Sequence, residues 1–235
     1  MKLFKKMVII SVFTIFLSSC GEFSSISGCP DAKIEWVDMV MIQDIRYEHH
    51  YPDSSDETMP IEIEKGKELG KVTYKMADRA CSNHKMKNGD AAFLEVGTPI
   101  YEVKGYPTAL IVAVNDKVYV AETNTKAKTA GDLYPMSQVV KNIYIESTED
   151  GSRLHTFSQS SKNKFLTAWD QLKLEDVQSL HNENKMEGKR IFLEIELNNG
   201  VSFRELYWAD SNIFHSGAIG NNEIKEVITD ELSNI

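Results

Sequence analysis

The sequence predicts an α+β protein, with a mostly-β N-terminal domain (a small antiparallel barrel or sandwich) followed by a two-layer domain of order ββαββα. Three observations carry that expectation. Between Trp36 and Glu122 short apolar runs are separated by tight-turn residues with no sustained helical spacing, and such chains dispose of exposed strand edges by closing, which favours a barrel. Beyond residue 136, two stretches of helical periodicity alternate with hairpins. Between them, residues 123–136 are rich in Thr, Asn, Ala, Lys and Gly with Pro135 near the end, too long for an ordinary hairpin loop and so the expected linker between domains 29–122 and 137–235.

Element by element, Val37, Met39, Met41, Ile45 and Tyr47 alternate with Asp38, Asp44 and Arg46, which predicts one half-buried strand over 36–47. Residues 48–66 hold Pro52, Pro60 and several Ser and Asp, an exposed excursion. Further strands are expected at 70–76, 91–96, 99–103, 109–114 and 117–122, separated by Asn88-Gly89, Gly97, Gly105-Tyr106-Pro107 and Asn115-Asp116. A hairpin crosses Glu149-Asp150-Gly151. Ser160 or Ser161 then caps a helix whose Phe165, Leu166, Trp169 and Leu172 form one stripe, and Ile224, Val227, Ile228 and Leu232 repeat that spacing at the C-terminus.

The hairpin over 191–208 permits a choice of register. A two-residue Asn199-Gly200 turn would oppose Glu194 with Glu205, and like charges opposite one another destabilise. A three-residue loop, Asn198-Asn199-Gly200 with Gly200 left-handed, opposes Leu197 with Val201, Ile195 with Phe203 and Glu194 with Arg204, giving one apolar face and one face with an ion pair.

At the N-terminus, Lys2, Lys5 and Lys6 precede an apolar run from Met7 to Leu17, far shorter than the roughly 20 residues a spanning helix needs. The run ends in Leu17-Ser18-Ser19-Cys20, which resembles the lipobox of bacterial lipoproteins. The resemblance implies cleavage of residues 1–19, a diacylglyceryl group on Cys20 as the membrane-lipid contact, and an outward-facing, lipid-anchored place at the cell membrane. Two acyl chains supply attachment that one cannot. Residues 20–28 read as a short tether with a reach on the order of 15–20 Å.

Loss of the leader removes three lysines and no acids, so the formal charge of −9 becomes −12. A body of that sign is repelled by phosphate backbones, which argues against a nucleic-acid partner. Cys29 and Cys81 are the other cysteines, in a chain expected in a compartment where disulfides persist. Closing the loop between them would contribute about 4 kcal/mol in the chain-entropy model; the alternative is two free thiols.

His49-His50 invites a metal reading, with His84 and Glu48 as further ligands, but adjacent strand residues point to opposite faces and cannot grip one ion unless the backbone turns. These histidines read first as solvated, and no metal or cofactor is expected. Met39 and Met41 share a strand face, as a soft copper site would require, but core filling is the simpler role. Asp53, Asp56, Glu57, Glu62 and Glu64 could collect calcium, yet their spacing matches no calcium loop. Cys81-Ser82-Asn83-His84 sets a thiol near an imidazole, though pairing with Cys29 would consume it.

The segments Gly70–Lys75, Gly89–Leu94 and Gly97–Tyr106 resemble a stretch of lipoproteins from Gram-positive spore formers whose activity is not known. Gly97-Thr98-Pro99-Ile100-Tyr101 is also similar to the opening of bacterial SH3-like wall-binding repeats, without their aromatic-rich groove. Anchor, two modules and absent catalytic motif together suggest a binding or interaction module for a cell-wall or membrane-protein partner. The alternatives are an extracytoplasmic hydrolase whose site is assembled from loops, and a protein that captures a metal or small ligand.

Overall fold

The computed structural model describes residues 35–49, 61 and 63–235. Glu35–Ala80 and Lys85–Ile235 belong to one compact unit, and Cys81–His84 group with the other. The tether and the predicted lipidation site Cys20 lie outside the described residues.

The fold is α+β and mostly β, as the sequence predicts. The first sheet uses β1 (Met39–Ile42), β2 (Ile45–His49), β3 (Lys65–Lys71), β4 (Tyr74–Lys75), β5 (Asp90–Ala91), β6 (Pro99–Val103), β7 (Ile111–Val114) and β8 (Lys117–Asn124), with helix α1 (Met76–Arg79) after β4. Its order, β3-β6-β7-β8-β2-β1-β5-β4, curls into a half-barrel. All pairs are antiparallel except β4–β5. Every residue of β7 is buried, which explains why Ile111–Val114 reads as a continuous apolar run rather than an alternation.

The strand expected over 36–47 is a hairpin. Gln43 and Asp44 both have positive φ, 55° and 67°, the two-residue turn whose twist suits antiparallel strands. Asp44 is held there reciprocally: its N–H donates to Asn88 Oδ1 at 2.7 Å, and Asn88 Nδ2 donates to its carboxylate at 2.8 Å. The turn sets Ile42 opposite Ile45 and Val40 opposite Tyr47, so these four are buried, while Met39 and Met41 take the other face, half-buried. The methionines are therefore not core fillers. The strand expected at 91–96 stops at Ala91, and Phe93 and Val96 are exposed before a turn in which Thr98 N–H donates to Glu95 O. The strand expected at 70–76 is split between β3 and β4.

The 123–136 stretch, read from the sequence as a linker, holds the end of β8 and helix α2 (Ala130–Leu133), which Thr129 and Asp132 close with a reciprocal capping box. The second sheet follows: β9 (Val140–Glu146), β10 (Arg153–Thr156), α3 (Gln159–Trp169), α4 (Val177–Asn182), β11 (Arg190–Leu197), β12 (Ser202–Trp208), β13 (Ile213–Phe214) and α5 (Asn222–Leu232). Its order is β10-β9-β11-β12-β13. Ser158, not Ser160 or Ser161, caps α3; Ser161 is the donor, its N–H reaching Ser158 Oγ at 3.1 Å. Phe165 and Trp169 of α3 contact Phe214 edge-on, and Ile224, Val227 and Ile228 of α5 join the same core. That core is one apolar cluster containing residues of both sheets.

Between β11 and β12 the three-residue loop forms as predicted. Gly200 has φ 87°, Leu197 N–H donates to Val201 O at 2.7 Å, and Ile195 faces Phe203. This register sends Leu193, Ile195 and Leu197 into the core and Glu194 and Glu196 to the other face. It also places Glu205 on the core side beside Leu193, fully buried, where its carboxylate accepts from Ser216 N–H at 2.9 Å.

Burial pushes the Glu205 carboxyl up to about 7, against the pull of the Ser216 and His215 amides. The native chain therefore holds this proton where the unfolded chain has released it. The contribution is fully present below the ordinary glutamate value and is lost as pH rises through about 7. Glu205→Gln should abolish it: relative to wild type, the variant gains on the order of 3 kcal/mol between about pH 4 and about pH 8, measured by denaturant unfolding at both values. An unchanged difference refutes the assignment.

Candidate functional site

Across β9, β11 and β12 the register aligns Tyr144, Glu194 and Arg204 in one row and Glu146, Phe192 and Leu206 in the next. Glu146 and Glu194 are only 3% and 4% exposed, so each carboxylate needs a partner. The pairing differs from the sequence expectation, in which Glu194 meets Arg204. Glu194 instead takes Arg153 of β10, Nε at 2.6 Å and Nη2 at 2.8 Å, while Arg204 reaches Glu146 through Nε and, at 3.0 Å, through Nη2. Arg153 lies over the Tyr144 ring, 4.0 Å from its centre, and Arg204 over Phe192 at 5.3 Å. Opposed residues alone do not decide a pair: a long guanidinium can reach diagonally, and here each one gains an aromatic platform as well as a fork of two hydrogen bonds.

Further along that face Glu196 accepts from Lys141 Nζ at 2.8 Å, Tyr144 Oη at 2.6 Å and Asn142 Nδ2 at 2.9 Å. Burial raises the Glu194 and Glu196 carboxyls, but these donors outweigh it and both rest below the usual glutamate value. Burial with the Glu196 hydrogen bond pushes the Tyr144 phenol up to about 12.

This charged face borders a cleft of about 350 Å³ whose other wall comes from β2 and β8 of the first sheet. Glu146, Glu194, Ser202, Phe203 and Arg204 line one side, and Glu48, His49, Val120, Ala121 and Glu122 the other, with Tyr134 between helix α2 and β9 also lining it. Glu122 accepts from Arg46 Nε at 2.8 Å. Glu48 stands opposite Val120 in the ladder, and among the described residues no basic side chain lies at ion-pair distance from it. Burial first, then repulsion from Glu122, lifts its carboxyl above the usual value, against the attraction of Arg46.

The sequence-predicted residues distribute as follows. His49 lines the cleft, with Nδ1 3.7 Å from the Asp38 carboxylate and its ring 5.3 Å from that of Tyr119; burial, then Lys117, lowers its pKa. His50 lies outside the described residues, and His84 belongs to the segment Cys81–His84 of the other unit. Among the described residues, no group of three or more His, Cys, Asp or Glu is placed to hold a metal ion. Cys81 is disulfide-bonded, so it offers no thiolate for attack, and Cys29, its expected partner, lies outside the described residues. Of the acidic excursion, Asp53, Asp56, Glu57 and Glu62 also lie outside, while Glu64 pairs with Lys104.

None of Glu122, Glu146, Glu194 and Arg204 is a site residue in the sequence reading, although the predicted register did align Glu194 with Arg204. A larger groove of about 700 Å³ lies beside Tyr106, Pro107, Pro135 and Asp170, where Ser137 donates to the Asp170 carboxylate in an exposed contact. The smaller cleft holds the concentration of buried charge. Comparison with protein-family models, curated proteins and solved structures finds no match to the chain.

Arg204→Ala should destabilise the chain by roughly 2–4 kcal/mol, because Glu146 is left buried without its fork. Adding Glu146→Gln should recover at least half of that loss. A double-mutant cycle from urea melts reads the coupling, and additive effects rule the pair out as the anchor of this face.

Proposed function

We propose that this chain is a lipoprotein of the cell membrane, outward-facing and held by a diacylglyceryl group on Cys20, and that it acts as a binding module toward a cell-wall or membrane-protein partner. The lipobox-like Leu17-Ser18-Ser19-Cys20 and the resemblance to lipoproteins of Gram-positive spore formers support the placement. One observation supports the binding role: the cleft walls are tied by three guanidinium–carboxylate pairs, Arg46–Glu122, Arg204–Glu146 and Arg153–Glu194. Side chains held this way lose little entropy when a ligand arrives, the condition for recognition by a preformed surface.

A second reading, an extracytoplasmic hydrolase, is favoured by Glu48. A carboxyl with a raised pKa beside a second carboxylate is the arrangement that acid–base hydrolysis uses. Glu122, however, is engaged by Arg46, which weakens it as a base. Release of soluble fragments from purified wall by wild type but not by Glu48→Gln would decide for this reading.

Two outcomes are expected for the proposal. Cys20→Ala should appear in the medium or persist as uncleaved precursor in fractionated cells, and a processed form retained on the membrane refutes the anchor. In crosslinking on intact cells, Glu48→Lys should lose a partner that wild type and the surface variant Glu226→Lys both retain; equal capture by all three refutes the cleft as the binding surface.

A further inference from the structure

Most buried ionisable groups in the described part of the chain are already engaged. Asp38 accepts from Lys117 and Tyr119, Glu231 from His155 and the Ser158 amide, and Glu205 from the Ser216 amide. Around the cleft, the lining carboxylates are Glu48, Glu122, Glu146 and Glu194, and the guanidiniums that match three of them are Arg46, Arg204 and Arg153. Among the described residues the set of guanidiniums is one positive charge short, and the deficit falls on Glu48.

Resting on the binding role above, we propose that the cleft receives a singly charged alkylammonium or alkylguanidinium group, the chemistry at the end of a basic peptide side chain, with Glu48 as its counter-ion. Three features of the cavity specify this class. Its volume of about 350 Å³ is near the lower end of the roughly 300–1,000 Å³ usual for ligand pockets, which suits a group of side-chain size. Its lining is not uniformly acidic: Val120, opposite Glu48 in the ladder, offers apolar surface along which a methylene stem can lie. Tyr134 and Phe203 also line it, their ring centres 5.1 Å apart, and aromatic surface beside a carboxylate favours an organic cation over an inorganic ion, which would need several converging oxygens.

Electrostatics select in the same direction. An anionic group would face Glu48 and Glu122 together, whereas a cation removes the repulsion between them that burial intensifies. The chain's formal charge of −9 adds a long-range bias toward cationic partners. A dication would overshoot the single unmatched charge.

The test is calorimetric titration of the detergent-solubilised full chain with n-butylguanidinium and n-butylammonium, against n-butanol and butyrate as probes of the same length. Both cations should bind, and neither butanol nor butyrate should bind comparably. Glu48→Gln should weaken cation binding at least tenfold, with Glu226→Gln unchanged and the thermal midpoints of both variants confirming that they fold. Glu48→Asp, which keeps the charge on a shorter stem, should fall between. Cation binding that survives Glu48→Gln overturns the proposal, as does equal binding of butanol or the absence of binding by either cation. Butanol binding would leave the binding role standing while removing the charge selection, and the intact-cell crosslinking judges that role independently.

Discussion

Two carboxylates almost wholly withdrawn from water on one sheet face impose the constraint from which the rest of the site follows. An unpaired charge at the positions of Glu146 or Glu194 would cost several kcal/mol, so the face is stable only with a guanidinium delivered to each. Delivery needs β10 to bring Arg153 across β9, and β12 to bring Arg204 across β11, which in turn requires one register for all four strands. A slip of one residue would turn Glu194 and Arg204 into the core and Ile195 out of it. The ion pairs thus weigh less as a source of net stability than as a device that rejects alternative registers, a role that buried polar groups fill in other folds.

The opposite face of the same sheet shows the complementary logic. Leu193, Ile195 and Leu197 meet Phe165 and Trp169 of α3 in an apolar cluster that also includes residues of the first sheet. The apolar cluster and the cleft thus both draw residues from the two sheets. Glu205 is the exception on the apolar side: it retains its place by accepting backbone amides and by holding its proton to a higher pH than an exposed glutamate would.

Legibility in the sequence varied with the range of the interaction involved. The two helices, except that α3 ends at Trp169 and leaves Leu172 beyond it, the Gly200 loop and the register it sets followed from local spacing and turn chemistry, and the α+β class followed from them. The 36–47 segment misled because its alternation continues across a two-residue turn. Gln43 and Asp44 lack the glycine that usually marks such a turn, and the conformation of Asp44 is held by Asn88, forty-four residues away. The cleft was not legible: Glu48, Glu122, Glu146 and Glu194 are ordinary glutamates at strand positions, with no motif and no shared spacing.

By itself the sequence determined the class of fold, the positions of α3 and α5 and the register of the 191–208 hairpin, because each depends on neighbours within a few residues along the chain. Which carboxylate met which arginine, and which one was left unmatched, was decided only by the tertiary structure. Those outcomes depend on strands up to seventy-six residues apart, as with Arg46 and Glu122, meeting at distances where a difference of one ångström separates a hydrogen-bonded pair from an isolated charge.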